Sequence, residues 1–375
     1  MTGESLRRQV VRALLGGLLC SLLGVDIEHA TAVPTTGHHN AADAAARPSP
    51  GDSARAKAIA PLRQHRTRTR PPVRYVAVSV ATVWTTPGRK RPVDAPALSN
   101  PAHPRRWVAD MTVHQKRRLS AMAAVQTQAL YATKVYILGR SGAWRKIAVA
   151  SQSTPKNKLG YPGWVPRRQL TTTAPARTKR FAVVRRPTAW LRSDWDRGGA
   201  TGKRIMELSY DTRLPVVKMT SNYVKVVALD GSRRALHRPA VVVHTARTAW
   251  TPTGADIVSD GRQFLCLQYL WGGASGFSYD CSGFTHALYH RVGIKIPRDA
   301  SAQATLGARV SLSRVRRGDL LFVTGASGSI GHVVMYAGKV DGRRSVIEAP
   351  GTGLGVRVVA RSTYTYQVAR RYLTG

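Results

Sequence analysis

The stretch Gly272-Gly-Ala-Ser-Gly-Phe-Ser-Tyr-Asp-Cys-Ser-Gly-Phe284 decides how this chain folds. A glycine-rich loop runs into Asp280, whose short carboxylate suits a helix N-cap. Phe284, Ala287, Leu288 and Val292 then recur at the i, i+3, i+4 spacing of one helical face. Gly293 supplies a stop. Cys281 therefore falls in the first turn of a helix, where unpaired N–H groups and the macrodipole favour an anion. That setting makes a cysteine reactive; a buried structural thiol is the alternative these residues leave open.

A thiolate nucleophile needs a base, and the base needs an orienting group. Downstream, Gly331-His332-Val-Val-Met-Tyr-Ala337 reads as an apolar strand. A turn at Asp341-Gly342 leads into Ser345-Val-Ile-Glu348-Ala, a second short strand. A hairpin of the two brings His332 near Glu348, whose carboxylate can fix the imidazole tautomer. Spacing leaves open that Glu348 is an exposed strand carboxylate.

With these blocks in view, "YLWGGASGFSYDCSGFTHALYHRVGIKIPRDASAQ", "VRRGDLLFV", "GHVVMYAG" and "VIEAPGTG" resemble the NlpC/P60 family of cysteine peptidases over about 110 residues. The "WGG…DCSG" and "PR…Q" blocks carry most of the specificity. The resemblance implies a papain-like α+β catalytic domain over residues 256–375, with Cys281 as nucleophile, His332 as base and Glu348 as third polar residue. That third position varies in the family. The resemblance also implies that Tyr269, twelve residues before Cys281, donates to the oxyanion, and that Asp280, Ser282, Arg298 and Asp299 line the substrate site. Ala300 stands where the family commonly has Ser. The implied reaction is hydrolysis of peptidoglycan stem peptides or muropeptides at the D-γ-glutamyl–diamino acid bond through an acyl-enzyme, with no cofactor or metal. A wall amidase, a cross-bridge endopeptidase and a non-catalytic wall-binding protein are the alternatives.

Upstream, the texture is β-rich. Tyr75–Trp84, Ala132–Leu138 and Trp144–Ala150 alternate apolar and polar residues between Pro, Gly and Asn breaks. "ALYATKVYILGRSGAWRKIAV" followed by "GYPGWVPRRQL" resembles a bacterial SH3 domain, placed at 73–175. A second, weaker resemblance covers 180–246, without the "GWV" ending. Modules of this kind imply wall binding or gating of substrate.

The N-terminus carries Arg7, Arg8 and Arg12, then the apolar run Ala13–Val25, then Ala30-Thr31-Ala32. This order predicts a secretory signal over 1–32, cleaved after Ala32, with Sec and twin-arginine routes both open. The apolar run of about 13 residues is short of the roughly 20 that span a bilayer; an uncleaved anchor is the alternative. Residues 33–72 hold almost no large apolar side chains and read as a disordered basic linker; His38 and His39 there read as solvated. The chain has 58 basic and 19 acidic residues in 375, a net charge of +39, which attracts polyanions. For an exported, wall-associated or secreted chain these are anionic wall polymers rather than nucleic acid. Cys266 and Cys281 could form a disulfide, but that would consume the nucleophile, so Cys266 reads as a small buried residue. His286 and His290, four apart on the helix, read as surface histidines for want of a third metal ligand.

Overall fold

The computed structural model describes residues 70–88, 90–193, 202–245, 251–325 and 327–373. The expected signal segment and the expected linker up to residue 69, with His38 and His39, lie outside the described residues.

The first β-rich segment builds β1 (Val73–Val76), β2 (Val80–Trp84), β3 (Val125–Leu130), β4 (Lys134–Ser141), β5 (Trp144–Val149), β6 (Tyr161–Pro166) and β7 (Leu170–Thr171). They form one antiparallel sheet in the order β3-β2-β6-β5-β4-β1-β7. The alternation read in the sequence turns Val135, Ile147, Val149 and Val165 onto one core. The run Tyr75–Trp84 is two strands rather than one. β1 pairs with β4 and β7, whereas β2 pairs with β3 and β6, so the chain breaks between them to serve two edges.

Between β2 and β3 the chain inserts α1 (Ala95–Leu98), α2 (Pro104–Asp110) and α3 (Val113–Ala121), which the β-texture did not suggest. Thr112 and Gln115 form a capping box at the start of α3, satisfying two N–H groups reciprocally. Trp107 is fully buried against Trp84, with ring centroids 5.8 Å apart, and donates to Asp94 at 2.9 Å. Leu119, Val125 and the distant Leu270 complete this cluster, so the insertion is welded to the C-terminal domain.

The second segment repeats the plan with β8 (Arg180–Val184), β9 (Thr188–Ser193), β10 (Arg204–Ser209), β11 (Arg213–Met219), β12 (Tyr223–Val227), β13 (Arg233–His237) and β14 (Val241–Thr245). The order is β10-β9-β13-β12-β11-β8-β14. Its core gathers Leu191, Leu208, Leu214, Val224, Val226 and Leu236.

The C-terminal domain opens with α4 (Gly254–Arg262), capped by Thr253 and Asp256. The short hairpin β15 (Ala274–Ser275) and β16 (Ser278–Tyr279) leads into α5 (Cys281–Arg291), followed by α6 (Ala300–Gln303). Next come β17 (Ala308–Val310), β18 (Leu320–Thr324), β19 (Ile330–Val340), β20 (Arg343–Glu348), β21 (Arg357–Ala360) and β22 (Tyr366–Arg371). They form an antiparallel sheet in the order β17-β22-β18-β19-β20-β21. Asp341 and Gly342 both take positive φ, 49° and 76°, as a tight two-residue hairpin turn requires. Phe284 and Leu288 of α5 pack with Phe264, Tyr279, Val333, Met335 and Ile347. This apolar contact seats α5 on the sheet, giving the α+β, papain-like arrangement. No helix among the described residues is long and apolar enough to cross a membrane.

Candidate active site

Asp280 is the N-cap of α5, with extended backbone (φ −91°, ψ 178°) and a carboxylate that accepts from Gly283 N at 2.6 Å. Cys281 is the first helical residue and a free thiol. Two glycines make this turn possible. Gly272 has φ +74°, and a Cβ there would lie 2.5 Å from Val125 Cγ1 of the first β module. A Cβ on Gly283 would lie 2.1 Å from Gly273 O.

The β19–β20 hairpin brings His332 and Glu348 together, with Nε2 to Oε2 at 2.6 Å. That bond occupies Nε2, and Cys281 is near enough to raise the imidazole, which leaves Nδ1 as the nitrogen free to face the thiol. Burial pulls His332 down, but the hydrogen bonds with Cys281 and Glu348 outweigh it and hold the imidazole at about 10. Burial pushes Glu348 up, and His332 and Arg357 more than reverse this, so it sits below the ordinary carboxylate value. The pair is an imidazolium–carboxylate ion pair at neutral pH. Tyr269 is buried beside Cys281; burial, then the charges of Cys281 and Asp280, raise its phenol well above its usual value.

Ser282, Arg298 and Asp299 are placed differently from residues lining an open site. Arg298 is 1% exposed. Its Nη1 and Nη2 grip the two oxygens of Asp280 at 3.0 and 2.7 Å, and Nη1 also donates to Ser282 Oγ at 3.0 Å. Its Nε reaches Thr127 Oγ1 of β3 at 2.9 Å, and its backbone N reaches Ser153 O at 3.0 Å. Arg298 is thus a bolt from the first β module to the cap of α5. Asp299 accepts from Tyr161 at 2.7 Å and pairs with Lys156 at 3.0 Å, both from that module. Gln303, the end of the "PR…Q" block, donates to Ser282 O at 3.1 Å and Pro297 O at 2.8 Å, fixing the first turn of α5.

Two expectations fail. Cys266 is exposed, not buried. The chain turns after α4 and takes φ +68° at Cys266, with its N–H bonded to Val356 O at 2.8 Å. His286 is 6% exposed rather than on the surface. The second β module covers this face of α5: His286 stacks on His290, which hydrogen-bonds Asp211 of that module. Burial, then His290 and Arg298, depress His286 to about 3. No group of three His, Cys, Asp or Glu with metal-binding geometry occurs among the described residues.

Sequence reasoning missed the groups behind Glu348. Arg357 Nε lies 3.0 Å from Oε1, and Tyr364 OH lies 2.9 Å from both oxygens. The Arg357 side of this is foreshadowed only by strand pairing, since Arg357 faces Glu348 across β20 and β21. Thr127 and Ser153 carry no signal in sequence at all.

Residues 267–372 match the NlpC/P60 family, and residues 184–244 match the YKFC SH3b2 domain. A gamma-D-glutamyl-L-lysine dipeptidyl-peptidase of Bacillus cereus is 36% identical over 309 residues, which is 80% of this chain and 90% of that protein. Its namesake in Bacillus subtilis is 35% identical over 294 residues, 78% of this chain and 95% of that protein. The crystal structure of an NlpC/P60 family protein from Bacillus cereus superposes with a TM-score of 0.73 at 34% identity, covering 80% of this chain and 100% of that one. Likeness of this extent, across the β modules and the Cys-bearing domain together, means that the chain belongs to the NlpC/P60 family of cysteine peptidases.

Proposed function

We propose that this chain is an exported peptidoglycan hydrolase that cleaves stem peptides at the D-γ-glutamyl–diamino acid bond, with Cys281 as nucleophile, His332 as acid and base, and Glu348 as orienting carboxylate. The observation that carries the reading is the His332–Glu348 hydrogen bond beside a free Cys281 at the N-terminus of α5, near enough to act on the imidazole. It occurs in a chain that aligns with 90% of a gamma-D-glutamyl-L-lysine dipeptidyl-peptidase.

The helix N-terminus and the imidazolium favour the thiolate of Cys281. Sγ attacks the amide carbonyl carbon. The oxyanion is met by the Cys281 N–H and the Tyr269 hydroxyl, donors that act where charge develops. His332 gives its proton to the leaving amine, the C–N bond breaks and a thioester remains. Neutral His332 then takes a proton from water, the hydroxide attacks the thioester, and the C–S bond breaks to return the thiolate and the acid. Asp280 and Ser282 act from the cap and first turn; Arg298 and Asp299 act by holding that turn on the first β module.

That module also reaches the loops around Tyr269. Ser120 of α3 meets Thr352 at 3.1 Å, and Lys116 bonds Gln268, so α3 stands against loops that flank the nucleophile. The same module favours anionic wall polymers as a second ligand. Arg140 and Arg145 face each other across β4 and β5, with Arg167 and Arg74 close enough to depress Arg145 further after its own desolvation. Like charges so paired are destabilising unless a polyanion meets them.

Digestion of purified muropeptides by wild type and Cys281→Ala, with products read by mass spectrometry, tests the reaction. Products split between D-Glu and the diamino acid, absent with the variant, are expected. Splitting at the lactyl amide or a cross-bridge would move the assignment to an amidase or cross-bridge endopeptidase. No cleavage by wild type would leave a wall-binding protein. N-terminal sequencing of the protein recovered outside the cell tests export, and should begin at Val33. Wall pelleting that persists equally after Arg140, Arg145, Arg167 and Arg74 are changed to Gln would remove the polymer from the reading.

A further inference from the structure

Glu348 is completely buried, and its two oxygens are surrounded. Oε2 meets His332, Oε1 meets Arg357, and Tyr364 OH sits 2.9 Å from each. Arg357 is tied in turn to Tyr364 OH at 3.4 Å. Charge counting across these contacts is informative. A thiolate and an imidazolium already sum to zero. Glu348 adds a negative charge in a fully buried place, and a buried charge without a partner is costly. The titratable and charged groups facing the His332–Glu348 pair are Cys281 from α5, Arg357 from β21, Tyr364 before β22 and Tyr366 at its start. Arg357 is the cation of that set apart from His332 itself. With it, the four charged groups return to neutrality.

We infer that Arg357 and Tyr364 are positioning residues for the hydrolytic reaction: Arg357 supplies the charge that lets a carboxylate serve as the orienting group, and Tyr364 fixes that carboxylate on His332 Nε2. The inference rests on the assignment of Cys281 and His332 proposed above. Without Arg357, two anions would press on one imidazolium. His332 would then hold its proton too firmly to pass it to the leaving amine, and Glu348 would be harder to keep ionised. Both groups would titrate at higher pH, since an opposite charge at contact distance moves a titration by about one to three pH units.

The experiment is the pH profile of kcat/KM on a soluble muropeptide for wild type, Arg357→Gln, Arg357→Lys, Tyr364→Phe and Arg357→Gln/Glu348→Gln, with Cys281→Ala as control. Expected for Arg357→Gln is a loss of about tenfold at pH 7, with both limbs of the profile rising by about one pH unit. Arg357→Lys should keep the limbs near wild type. The double variant should be faster than Arg357→Gln alone, because removing the second charge restores the balance. Limb positions do not depend on the fraction of enzyme folded, so a rate loss with unmoved limbs means a merely structural role and overturns the inference. A double variant slower than Arg357→Gln overturns it as well. The His332 imidazole is also titrated by NMR in wild type and Arg357→Gln, with its signals identified by comparison with His332→Gln. An unchanged titration overturns the charge role whatever the activity. If Arg357→Gln does not fold, Tyr364→Phe and Arg357→Lys carry the same NMR comparison: Arg357→Lys must leave His332 near wild type and Tyr364→Phe must move it. Activity that survives in Cys281→Ala strikes the underlying assignment instead, and the NMR comparison still decides the role of Arg357.

Discussion

Replacing Arg298 by Met should unseat the start of α5 at a cost set by its buried charge. The guanidinium makes five hydrogen bonds, to both oxygens of Asp280, to Ser282 Oγ, to Gly273 O and to Thr127 Oγ1, at 2.7 to 3.2 Å. Removing one partner of a buried ion pair costs about 3–5 kcal/mol, because the other charge stays buried without compensation. Asp280 keeps its bonds from Gly272 N and Gly283 N, which hold the loss toward the lower end. With an m-value of about 2 kcal/mol/M, the urea midpoint of the C-terminal domain should fall by roughly 1.5–2.5 M. Labelling of the Cys281 thiol through a urea series reads that transition directly, since Cys281 sits beside the lost contact. The diagnostic variant is Arg298→Met/Asp280→Asn. Asn caps a helix as well as Asp does, and with the carboxylate gone no buried charge remains. The double variant should therefore be more stable than Arg298→Met alone. A single-variant cost under about 1 kcal/mol, or a double variant that is simply the sum of two losses, would refute the account of Arg298 as an ion-pair bolt.

Other outcomes follow from neighbouring contacts. Tyr269→Phe should lower kcat by roughly 10²–10³-fold with little change in KM, as loss of one oxyanion donor does; an unchanged kcat would exclude Tyr269 from that role. His332 has its folded pKa raised to about 10 from an unfolded value near 6.5, so its stabilisation is fully present below about pH 6.5 and is lost as pH rises through about 10. Stability measured at pH 7 and pH 11 should therefore differ more in wild type than in Glu348→Gln, and equal differences would contradict the ion pair. Tyr210→Phe removes a buried hydroxyl held between Asp260 at 2.8 Å and Arg291 at 2.7 Å, and should cost about 1–3 kcal/mol, read by thermal unfolding; a wild-type value would mean the network closes without it. A Cβ on Gly276 would lie 1.9 Å from Pro187 O of the second β module, so Gly276→Ala should pry that module from the catalytic domain and enlarge the radius of gyration in small-angle scattering.

The part of this fold legible in sequence was the part governed by local rules. Asp280 capping, the apolar face of α5 and the Asp341-Gly342 turn are each set within a few residues, and each appears where the pattern says. The hairpin then follows, and with it the His332–Glu348 contact. The alternating strands of both β modules were legible for the same reason. What escaped depends on tertiary pairing. Helices α1 to α3 interrupt a β-rich stretch with weak local signals, the Thr112–Gln115 capping box being the one that could have marked α3. Cys266 and His286 were misread because hydrophobic neighbours and helix position do not say which face another domain covers. Phe264, two residues from Cys266, is buried as its apolar side chain suggests, whereas the left-handed backbone at Cys266 turns that residue outward. Arg298 looked like a site-lining residue because it lies in a motif that surrounds the site; its partners Thr127 and Ser153 are far away in the chain.

These long-range contacts change what the catalytic unit is. The segment from Leu270 to Ala274 is held by the first β module at three points: Leu270 packs in the cluster of Trp84 and Trp107, Gly272 lies against Val125, and Ala274 N donates to Gln128 Oε1 at 3.0 Å. The same loop supplies Gly273 O, which accepts from Arg298, and Gly272 N, which donates to Asp280. Asp280 in turn sets the first turn of α5 and hence the direction of Sγ. From the other side, Asp211 and Arg213 of the second module engage His290 at the far end of α5. Both ends of α5 are therefore braced by β modules, one through a buried arginine and one through a buried carboxylate. Residues 256–375 contain the Cys281–His332–Glu348 group but not the β-module residues that brace α5 and its cap, Thr127, Gln128, Ser153 and Asp211. Near-attack geometry is sensitive to displacements of about 1 Å, so excising this domain should leave the three residues present and the reaction slow, with the loss falling mainly on kcat.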